Sequence, residues 1–460
     1  MFNLKINNFR SFQNQSFEFS RVNILIGENS GGKSSLLKFL LALKQTLDSP
    51  QESNLKLKGD FTDLGNYEEV IYQNNTENNI EFEFSNKDEY LDYFITFIDN
   101  LDETEQFDLE KFIHTVEPFF EKETKISFRL SKRLHEHSSI ETIIENEIAG
   151  KIELTQSKEK LEDYYRDIPC DIKYYYSNSK IEIRKCSSYK EGFFTLFAWD
   201  LQKKIEELYP NESNHFYYPI LYLLSFQNYI INHIERIRYV NPINSSPKRF
   251  YFKEDKKASY RLIDIEKFIN IIGDSALPQK ESVKRMKLLN SAIKKLGIAD
   301  EIKIVKNQEL PILALNVRTK GEWCNITDVG YGVSLQIPIL FQAILSENNT
   351  ENGENILIEQ PEVHLHPKLQ SSFIETLLDI GNKNTYFIET HSEHIVRKLQ
   401  VLVKNKDYEL TSKDVNIYYF RRESGLFEIS RHIIQEDGSL LPCFPNGFYD
   451  ASYSLVKDLL

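Results

Sequence analysis

The 460-residue chain has few cysteines, no long apolar run and no excess of positive charge. Its four cysteines, Cys170, Cys186, Cys324 and Cys443, form no C-x-x-C pair, which argues against a zinc ribbon or a disulfide framework. No stretch approaches the ~18 consecutive apolar residues of a membrane span, and the start of the chain lacks the apolar block of a signal peptide. We therefore expect a cytoplasmic protein without a membrane segment.

The composition is that of a globular protein, but its charge is uneven. Hydrophobic residues make up 41% of the chain and charged residues 27%, which suffices for a sizeable core. The net charge of −13 argues against a protein coated with nucleic acid. Residues 236–295, however, contain 15 Lys and Arg against six Asp and Glu. This basic segment is either a solvated helix face or a local site for DNA.

The order of the sequence patterns predicts an interrupted α/β domain. Residues 1–98 are rich in strand patterns, such as the apolar run Val22–Ile26, and residues 301–460 alternate short apolar runs with helix patterns. Short apolar runs bounded by polar residues are typical of buried strands in a largely parallel sheet. Residues 99–300 are polar and mostly helix-like. We predict one sheet domain formed by the two end segments and interrupted by a large, mostly helical insertion.

A phosphate-binding loop is the strongest signal. Residues 27–34, GENSGGKS, match the pattern G-x-x-x-x-G-K-[ST] in full and stand between a strand pattern and a helix pattern. Glycines let backbone N–H groups turn toward phosphate oxygens, and the helix start adds its positive end. In such a loop Lys33 reaches the β- and γ-phosphates, and Ser34 binds Mg²⁺. The candidate nucleotide ligands are Asn29, Ser30, Gly31, Gly32, Lys33, Ser34 and Ser35.

Two later strand patterns end in polar residues. The run ILIEQPE at 356–362 places Glu359 where a Mg·ATP site needs an acid to hold the metal or its waters. The run TYFIETHS at 385–392 places His391 where it would stabilise a γ-phosphate. The candidate catalytic residues are Glu359, Gln360, Glu362 and His391, and the candidate metal ligands are Ser34 and Glu359.

The histidines allow a different interpretation of this region. His364, His366, His391 and His394 fall within 31 residues, and their H-x-H and H-x-x-H spacings each present two imidazoles to one ion. A metal site is therefore an alternative, although the nucleotide site already accounts for His391.

These segments together resemble the ABC-type ATPases related to the SMC and OLD families. The opening NNFRSF at 7–12 resembles the first strand of that family, and DVGYGVSLQ at 328–336 resembles its degenerate signature motif. The run PNGFYD at 445–450 resembles the tail of a predicted-ATPase subgroup. Asn241-Pro242 and residues 247–249 resemble a further family landmark.

The resemblance implies a fold, cofactors and an assembly. The fold is an ABC-type P-loop ATPase sheet, and the cofactors are ATP and Mg²⁺, held by the phosphate loop and Glu359, with His391 as the switch histidine. The signature segment, residues 330–336, would contact the γ-phosphate bound by a second subunit, with Gly330, Gly332 and Ser334 as the candidate ligands. The chain would then form a homodimer or a larger oligomer with composite ATP sites. The alternative for residues 330–334, called the signature turn below, is a plain helix N-cap and turn.

One position departs from the family pattern. Most ABC-type sites place a Glu directly after the metal-holding acid, as the general base for the attacking water, but this chain has Gln360. A neutral amide cannot accept the proton, although it can orient water. Glu362 is the alternative base, but Pro361 makes its position uncertain. We therefore expect a switch that binds ATP and hydrolyses it slowly.

The same resemblance suggests what the switch controls. Relatives work with separate nuclease or toxin subunits in bacterial anti-phage systems, so we expect a separate effector subunit. The alternatives are an SMC-like ATPase that binds DNA through residues 236–295 in DNA repair or maintenance, and a housekeeping ATPase with neither role.

Overall fold

In the computed structural model, most of the chain is described. The described residues are 2–49, 55–86, 94, 109–130, 141–156, 167–176, 179–191, 194–198, 201–210, 213–240, 247–253, 264–273, 279–307, 309–349, 352–423 and 426–445. Two of the family landmarks, Asn241-Pro242 and residues 446–450 of the C-terminal tail, lie outside them.

Strands and helices alternate along much of the chain. The strands are β1 (Asn3–Asn7), β2 (Gln15–Glu18), β3 (Val22–Gly27), β4 (Ile80–Asn86), β5 (Thr124–Leu130), β6 (Glu141–Asn146), β7 (Gly150–Gln156), β8 (Asp167–Tyr176), β9 (Ser179–Glu191), β10 (Phe194–Ala198), β11 (Ile237–Val240), β12 (Tyr251–Phe252), β13 (Glu301–Lys306), β14 (Ile312–Thr319), β15 (Glu322–Asn325), β16 (Asn355–Glu359), β17 (Thr385–Glu389), β18 (Val415–Glu423), β19 (Leu426–Ile434) and β20 (Leu440–Leu441). The helices are α1 (Lys33–Leu47), α2 (Tyr67–Val70), α3 (Leu109–Val116), α4 (Leu201–Leu208), α5 (Ser213–Glu235), α6 (Ile265–Gly273), α7 (Gln279–Leu296), α8 (Tyr331–Asn349), α9 (Pro367–Ile380) and α10 (Glu393–Asn405).

One compact unit, residues 1–19 and 38–235, is built on a nine-stranded antiparallel sheet. The strand order is β10-β9-β8-β7-β6-β5-β4-β1-β2. Strands such as β4, β5 and β6 alternate buried and more exposed side chains, as an antiparallel sheet with one covered face requires. In β4, for example, Phe82 and Phe84 are buried on either side of Glu83, and the ring of Phe82 stacks on that of Phe128 with 4.9 Å between centroids.

The segment 99–300 contains strands that the sequence analysis missed. Helices such as α5 and α7 give it the expected helical character, but β5 to β12 also lie within it. The missed signal is a period of two, visible in β5, where Ile126 and Phe128 are buried between polar residues. The predicted division into 1–98, 99–300 and 301–460 stays a prediction.

A second compact unit, residues 20–37 and 236–460, carries the predicted parallel sheet. The strand order is β11-β16-β17-β3-β18-β19-β20, and the first five strands are parallel. The predicted strands at 22–26, 356–358, 385–388 and 415–420 are all confirmed, and so is the α/β class. A smaller antiparallel sheet in the same unit has the order β12-β14-β13, with β15 paired to β14.

The core of this second unit joins the central strands to helices α6 to α10. Ile24, Ile358 and Ile388 come from the strands, and side chains such as Phe341 and Phe373 come from the helices. Buried apolar strands of this kind bury both faces, which is why they appear in the sequence as continuous apolar runs.

The strand order decides where the functional residues lie. β17 lies between β16 and β3, and Glu359 is paired in register with Glu389, which is in turn paired with Leu25. The carboxyl ends of parallel strands meet at one edge of a sheet, where open α/β sheets bind their ligands. Glu359, Glu389 and the phosphate loop therefore share that edge.

Candidate nucleotide site

The phosphate loop leaves β3 through a turn that only glycine can make. Gly27 has a φ of +142°, and a Cβ at this position would lie 2.0 Å from the carbonyl oxygen of Phe420 on the neighbouring strand β18. The backbone N–H of Glu28 donates to that same oxygen at 3.0 Å. The loop then closes on itself, with the N–H of Gly31 donating to the carbonyl of Glu28 at 3.2 Å. The result is a compact cradle at the start of α1.

The other candidate ligands of this loop occupy three environments. Asn29 and Ser30 are exposed at its tip, where Ser30 adopts a φ of +59°. Gly32 has a φ of +99°, and its carbonyl accepts a hydrogen bond from the N–H of Ser35 at 2.9 Å. The side chain of Ser35 is buried within α1 and is therefore a poor candidate for direct contact with a nucleotide.

Lys33 is buried at the first position of α1. Its Nζ donates to the carbonyls of Gly27 (3.1 Å) and Glu28 (2.7 Å). A lysine is unfavourable here, because a helix start repels cations and because burial lowers the pKa of the ammonium. The negative charges of Glu389, Glu362 and Glu28 oppose that lowering. A residue that breaks a local rule in this way marks a functional position.

Ser34 contacts a carboxylate that the sequence analysis did not select. Its Oγ donates to Oε1 of Glu389 at 2.8 Å, and the Glu389 side chain is only 4% exposed. Glu389 ends β17 as Glu359 ends β16, and this equivalence was the signal by which it could have been found.

Glu359 and Gln360 lie at the end of β16. Oε1 of Glu359 accepts a hydrogen bond from the Tyr239 hydroxyl at 3.1 Å. Gln360 leaves the strand with a φ of +45°, and its N–H donates to the carbonyl of Glu389 at 2.7 Å. The strand therefore stops, and the shared face that a continuing strand would have given Gln360 and Glu362 does not form.

Glu362 is instead tied to the segment that follows β17. Its Oε2 accepts a hydrogen bond from Oγ1 of Thr390 at 2.7 Å, and its Oε1 accepts one from the N–H of His391 at 2.6 Å. The loop after β16 is thus joined to the predicted switch histidine by a carboxylate that also acts on Lys33.

The electrostatics of the pocket keep His391 neutral at physiological pH. Partial burial lowers the pKa of its imidazole, and the positive charge of Lys33 lowers it further. A neutral imidazole has one N–H donor, so His391 is able to donate to a phosphate oxygen without carrying a charge.

The signature turn packs against His364 in the loop that follows β16. A Cβ on Gly332 would lie 2.7 Å from the backbone oxygen of His364, and the Tyr331 ring meets the His364 ring edge to face at 5.2 Å. Ser334 is buried, and its Oγ donates to the carbonyl of Tyr331 at 2.7 Å. Gly330, by contrast, is exposed at the start of the 19-residue helix α8, with open space around the position of a Cβ.

The structure thus brings together most of the predicted site residues and separates a few. Lys33, Ser34, Glu362 and His391 converge at the phosphate loop, together with the additional carboxylate Glu389. In the part of the chain that the structure describes, no group of three or more His, Cys, Asp or Glu side chains could hold a metal ion. The alternative histidine site is therefore not supported, whereas a magnesium ion bound with phosphates needs only one or two protein carboxylates.

The residues present fit a magnesium nucleotide. The hydroxyl of Ser34 and the carboxylate oxygens of Glu389 beside it are the hard donors that Mg²⁺ prefers. The first turn of α1 adds backbone N–H groups that have no partner within the helix.

The basic segment 236–295 is balanced in part by acidic neighbours. Ion pairs join Arg238 to Glu354, Lys248 to Glu266, Arg249 to Asp328, Arg285 to Glu281 and Lys295 to Asp379. Among the described residues of this segment, α7 carries the exposed lysines Lys280, Lys284, Lys287 and Lys294, where DNA contact could be tested. Binding of DNA there stays a prediction.

One protein-family model and two solved structures are similar to this chain. A family model described as an AAA ATPase domain matches residues 1–396. The chain is similar to the SMC head domain from Thermotoga maritima, with 11% identity, a TM-score of 0.40 and coverage of 93% of this chain and 97% of that one. It is also similar to an SMC head domain with an extended coiled coil bound to the C-terminal domain of ScpA, derived from Pyrococcus furiosus, with 9% identity, a TM-score of 0.40 and coverage of 100% of both chains.

No curated protein matches the chain significantly. Among the helices of the described residues, none has the length and apolar character needed to cross a bilayer.

Proposed function

The chain belongs to the AAA ATPase domain family, and from this premise we propose that it binds ATP with Mg²⁺ at the phosphate loop and acts as a slow nucleotide-dependent switch. The observation that carries the proposal is the convergence of buried Lys33 with Ser34, Glu389 and Glu362 at one edge of the parallel sheet.

The roles of the individual residues follow from their positions. Lys33 would exchange its two carbonyl acceptors for the β- and γ-phosphates, and Ser34 would hold Mg²⁺ through its hydroxyl. Glu359 would hold a water of the metal from the end of β16. His391 would donate to the γ-phosphate, and its backbone N–H links that contact to Glu362.

A binding titration with a matched control tests this proposal. We expect Lys33→Ala to abolish ATP binding, because the buried Lys33 ammonium is the positive charge that the phosphate loop places against the β- and γ-phosphates. Lys38→Ala, five residues further along α1, is expected to bind ATP like the wild type. ATP binding retained in Lys33→Ala would rule out this site.

We further propose that ATP joins two copies of the chain. The exposed Gly330 at the start of α8 leaves room for the phosphate of a second subunit, with Gly332 and Ser334 as structural parts of the same turn. Sedimentation should then show a dimer with ATP and Mg²⁺ for the wild type and a monomer for Lys33→Ala. A dimer of equal strength without nucleotide would contradict the composite site.

The switch is proposed to act on a separate effector, a nuclease or toxin subunit, in defence against phage. Within the described residues, no group of three or more His, Cys, Asp or Glu side chains could hold the metal ion of a nuclease site. Cells that express the chain with its neighbouring genes are expected to resist phage, and Lys33→Ala is expected to remove the resistance. Unchanged phage growth with the wild-type genes would rule out this role.

A further inference from the structure

The contact between Ser34 and Glu389 assigns a role to a residue outside the expected set. In P-loop sites the hydroxyl of the loop serine binds magnesium through an oxygen lone pair. A hydroxyl has one proton to donate and two lone pairs, so the proton needs an acceptor that leaves the lone pairs facing the metal. In this chain the acceptor is Oε1 of Glu389, 2.8 Å from the Ser34 oxygen.

Glu359 is not in a position to accept the hydrogen bond of the Ser34 hydroxyl. Strand β17 separates β16 from β3, so Glu359 starts about two strand spacings of ~4.8 Å from the strand that carries the phosphate loop. Its Oε1 already accepts the hydroxyl of Tyr239. Glu389 belongs to β17, which is paired directly with β3, and it is only 4% exposed. Its negative charge has the largest effect of the neighbouring charges on Lys33.

We propose that Glu389 is the positioning residue that couples magnesium to nucleotide in this protein, by orienting the Ser34 hydroxyl toward the metal. The proposal rests on the proposed function, since it presupposes that ATP binds at the phosphate loop.

The negative charge of the site predicts that magnesium strengthens nucleotide binding. Glu389, Glu362 and Glu28 place three carboxylates around one ammonium, and the phosphates of a nucleotide bring more negative charge. A nucleotide without metal is therefore repelled, whereas a divalent cation between phosphates and carboxylates turns the repulsion into attraction. Removing the charge of Glu389 should weaken binding with magnesium but not binding without it.

The test compares ADP binding in Mg²⁺ with binding in EDTA. For the wild type we expect magnesium to strengthen binding strongly. In Glu389→Gln this enhancement should fall by about 10–100-fold, the range typical for partners that orient a metal ligand, while affinity in EDTA stays equal or rises. Glu436→Gln, which changes an exposed carboxylate paired with Lys406, should keep the full enhancement.

A double-mutant cycle separates positioning from a general structural effect. Ser34→Ala should lose a similar part of the enhancement, and adding Glu389→Gln to it should cost little more, because both changes remove one arrangement. Mn²⁺ binding in the presence of ADP, followed by its electron paramagnetic resonance signal, should weaken in the same variants. Full additivity, or a wild-type enhancement in Glu389→Gln, would overturn the proposal.

Two outcomes keep this proposal distinct from the proposed function. If the wild type binds no nucleotide in either buffer, both fail. If it binds Mg·ADP and Glu389→Gln does too with full enhancement, only the role of Glu389 fails. Should Glu389→Gln not fold, Glu389→Asp keeps the charge but withdraws the carboxylate from Ser34, and an unchanged enhancement in that variant would also overturn the proposal.

Discussion

Arg249 and Asp328 form a bidentate ion pair, and Asp328 lies two residues before the signature turn. Nη1 of Arg249 donates to Oδ2 of Asp328 at 3.2 Å, and Nη2 donates to Oδ1 at 2.5 Å. The backbone carbonyl of Arg249 also accepts a hydrogen bond from the Asn325 side chain at 3.0 Å. The weak landmark at 247–249 and the signature motif are thus one structural feature, although about 80 residues separate them in sequence.

Loss of this pair should affect assembly more than stability. Arg249→Met frees the segment before Gly330, so we expect ATP-dependent dimerisation to weaken by about tenfold, measured by sedimentation. The free energy of unfolding should change by less than about 1 kcal/mol, because both side chains are exposed. Lys248→Met, which removes the neighbouring pair with Glu266, serves as the control and should dimerise normally. Equal losses in both variants would count against a specific role for Arg249.

Gly27→Ala should disrupt the phosphate loop. The added methyl would meet the Phe420 carbonyl at 2.0 Å, so the loop or β18 must move, at a cost of about 2 kcal/mol or more in the free energy of unfolding. Nucleotide binding should be lost with it. Gly330→Ala places its methyl in open space, and thermal unfolding of that variant should match the wild type. A Gly27→Ala protein with normal ATP affinity would show that the loop tolerates a different path.

Gln360→Glu should speed ATP hydrolysis. The backbone of residue 360 is held by the carbonyl of Glu389, so the substitution changes the side chain from an amide to a base without changing its place. A positioned general base is worth about 10²–10⁴ in rate, and we expect phosphate release to rise by at least about tenfold. Glu362→Gln leaves one acceptor oxygen for two donors, Oγ1 of Thr390 and the N–H of His391, and should instead slow turnover. A fast wild type that neither change affects would refute the slow switch.

Much of the second unit could be predicted because its signals are local. The apolar runs of β3, β16 and β17 and the glycines of the phosphate loop carry their structural meaning in a few neighbouring residues. Lys33, Ser34 and His391 were found in the same way.

The remainder depends on contacts between distant segments. Its place at the end of an apolar run marks Glu389 as a candidate, but its partner Ser34 could not be assigned from the sequence, because the contact exists only when β17 lies between β16 and β3. Strands β5 to β10 of the nine-stranded sheet were missed because they lie in the polar segment 99–300, which was assigned as mostly helical. For residues 236–295, charge alone could not show which cations are paired: Arg285 is buried beside Glu281, and Arg238 is half-buried beside Glu354.

His432 should make the stability of the protein depend on pH. Burial lowers the pKa of the His432 imidazole, so the folded chain binds a proton at this ring less readily than the unfolded chain does. In the folded chain, Nε2 of His432 lies 2.8 Å from Oγ of Ser430, and Nδ1 lies 2.7 Å from the carbonyl oxygen of Pro442. The centroid of the Phe444 ring lies 4.5 Å from that of the His432 ring. Its contribution to stability is complete above about pH 6.5 and declines as the pH falls below that value.

Thermal unfolding between pH 7.5 and pH 5.5 checks this expectation. The wild type should lose stability on acidification, and His432→Gln should lose less, after an initial cost of about 1 kcal/mol at pH 7.5 for the disturbed hydrogen bonds. The pKa of His391 is lowered as well, so part of the pH dependence should remain in the variant. His114→Gln, whose side chain is 91% exposed, should keep the wild-type pH dependence. If His432→Gln is as sensitive to acid as the wild type, then the proton is taken up elsewhere, and His432 holds the segment around Pro442 without acting as a titrating group.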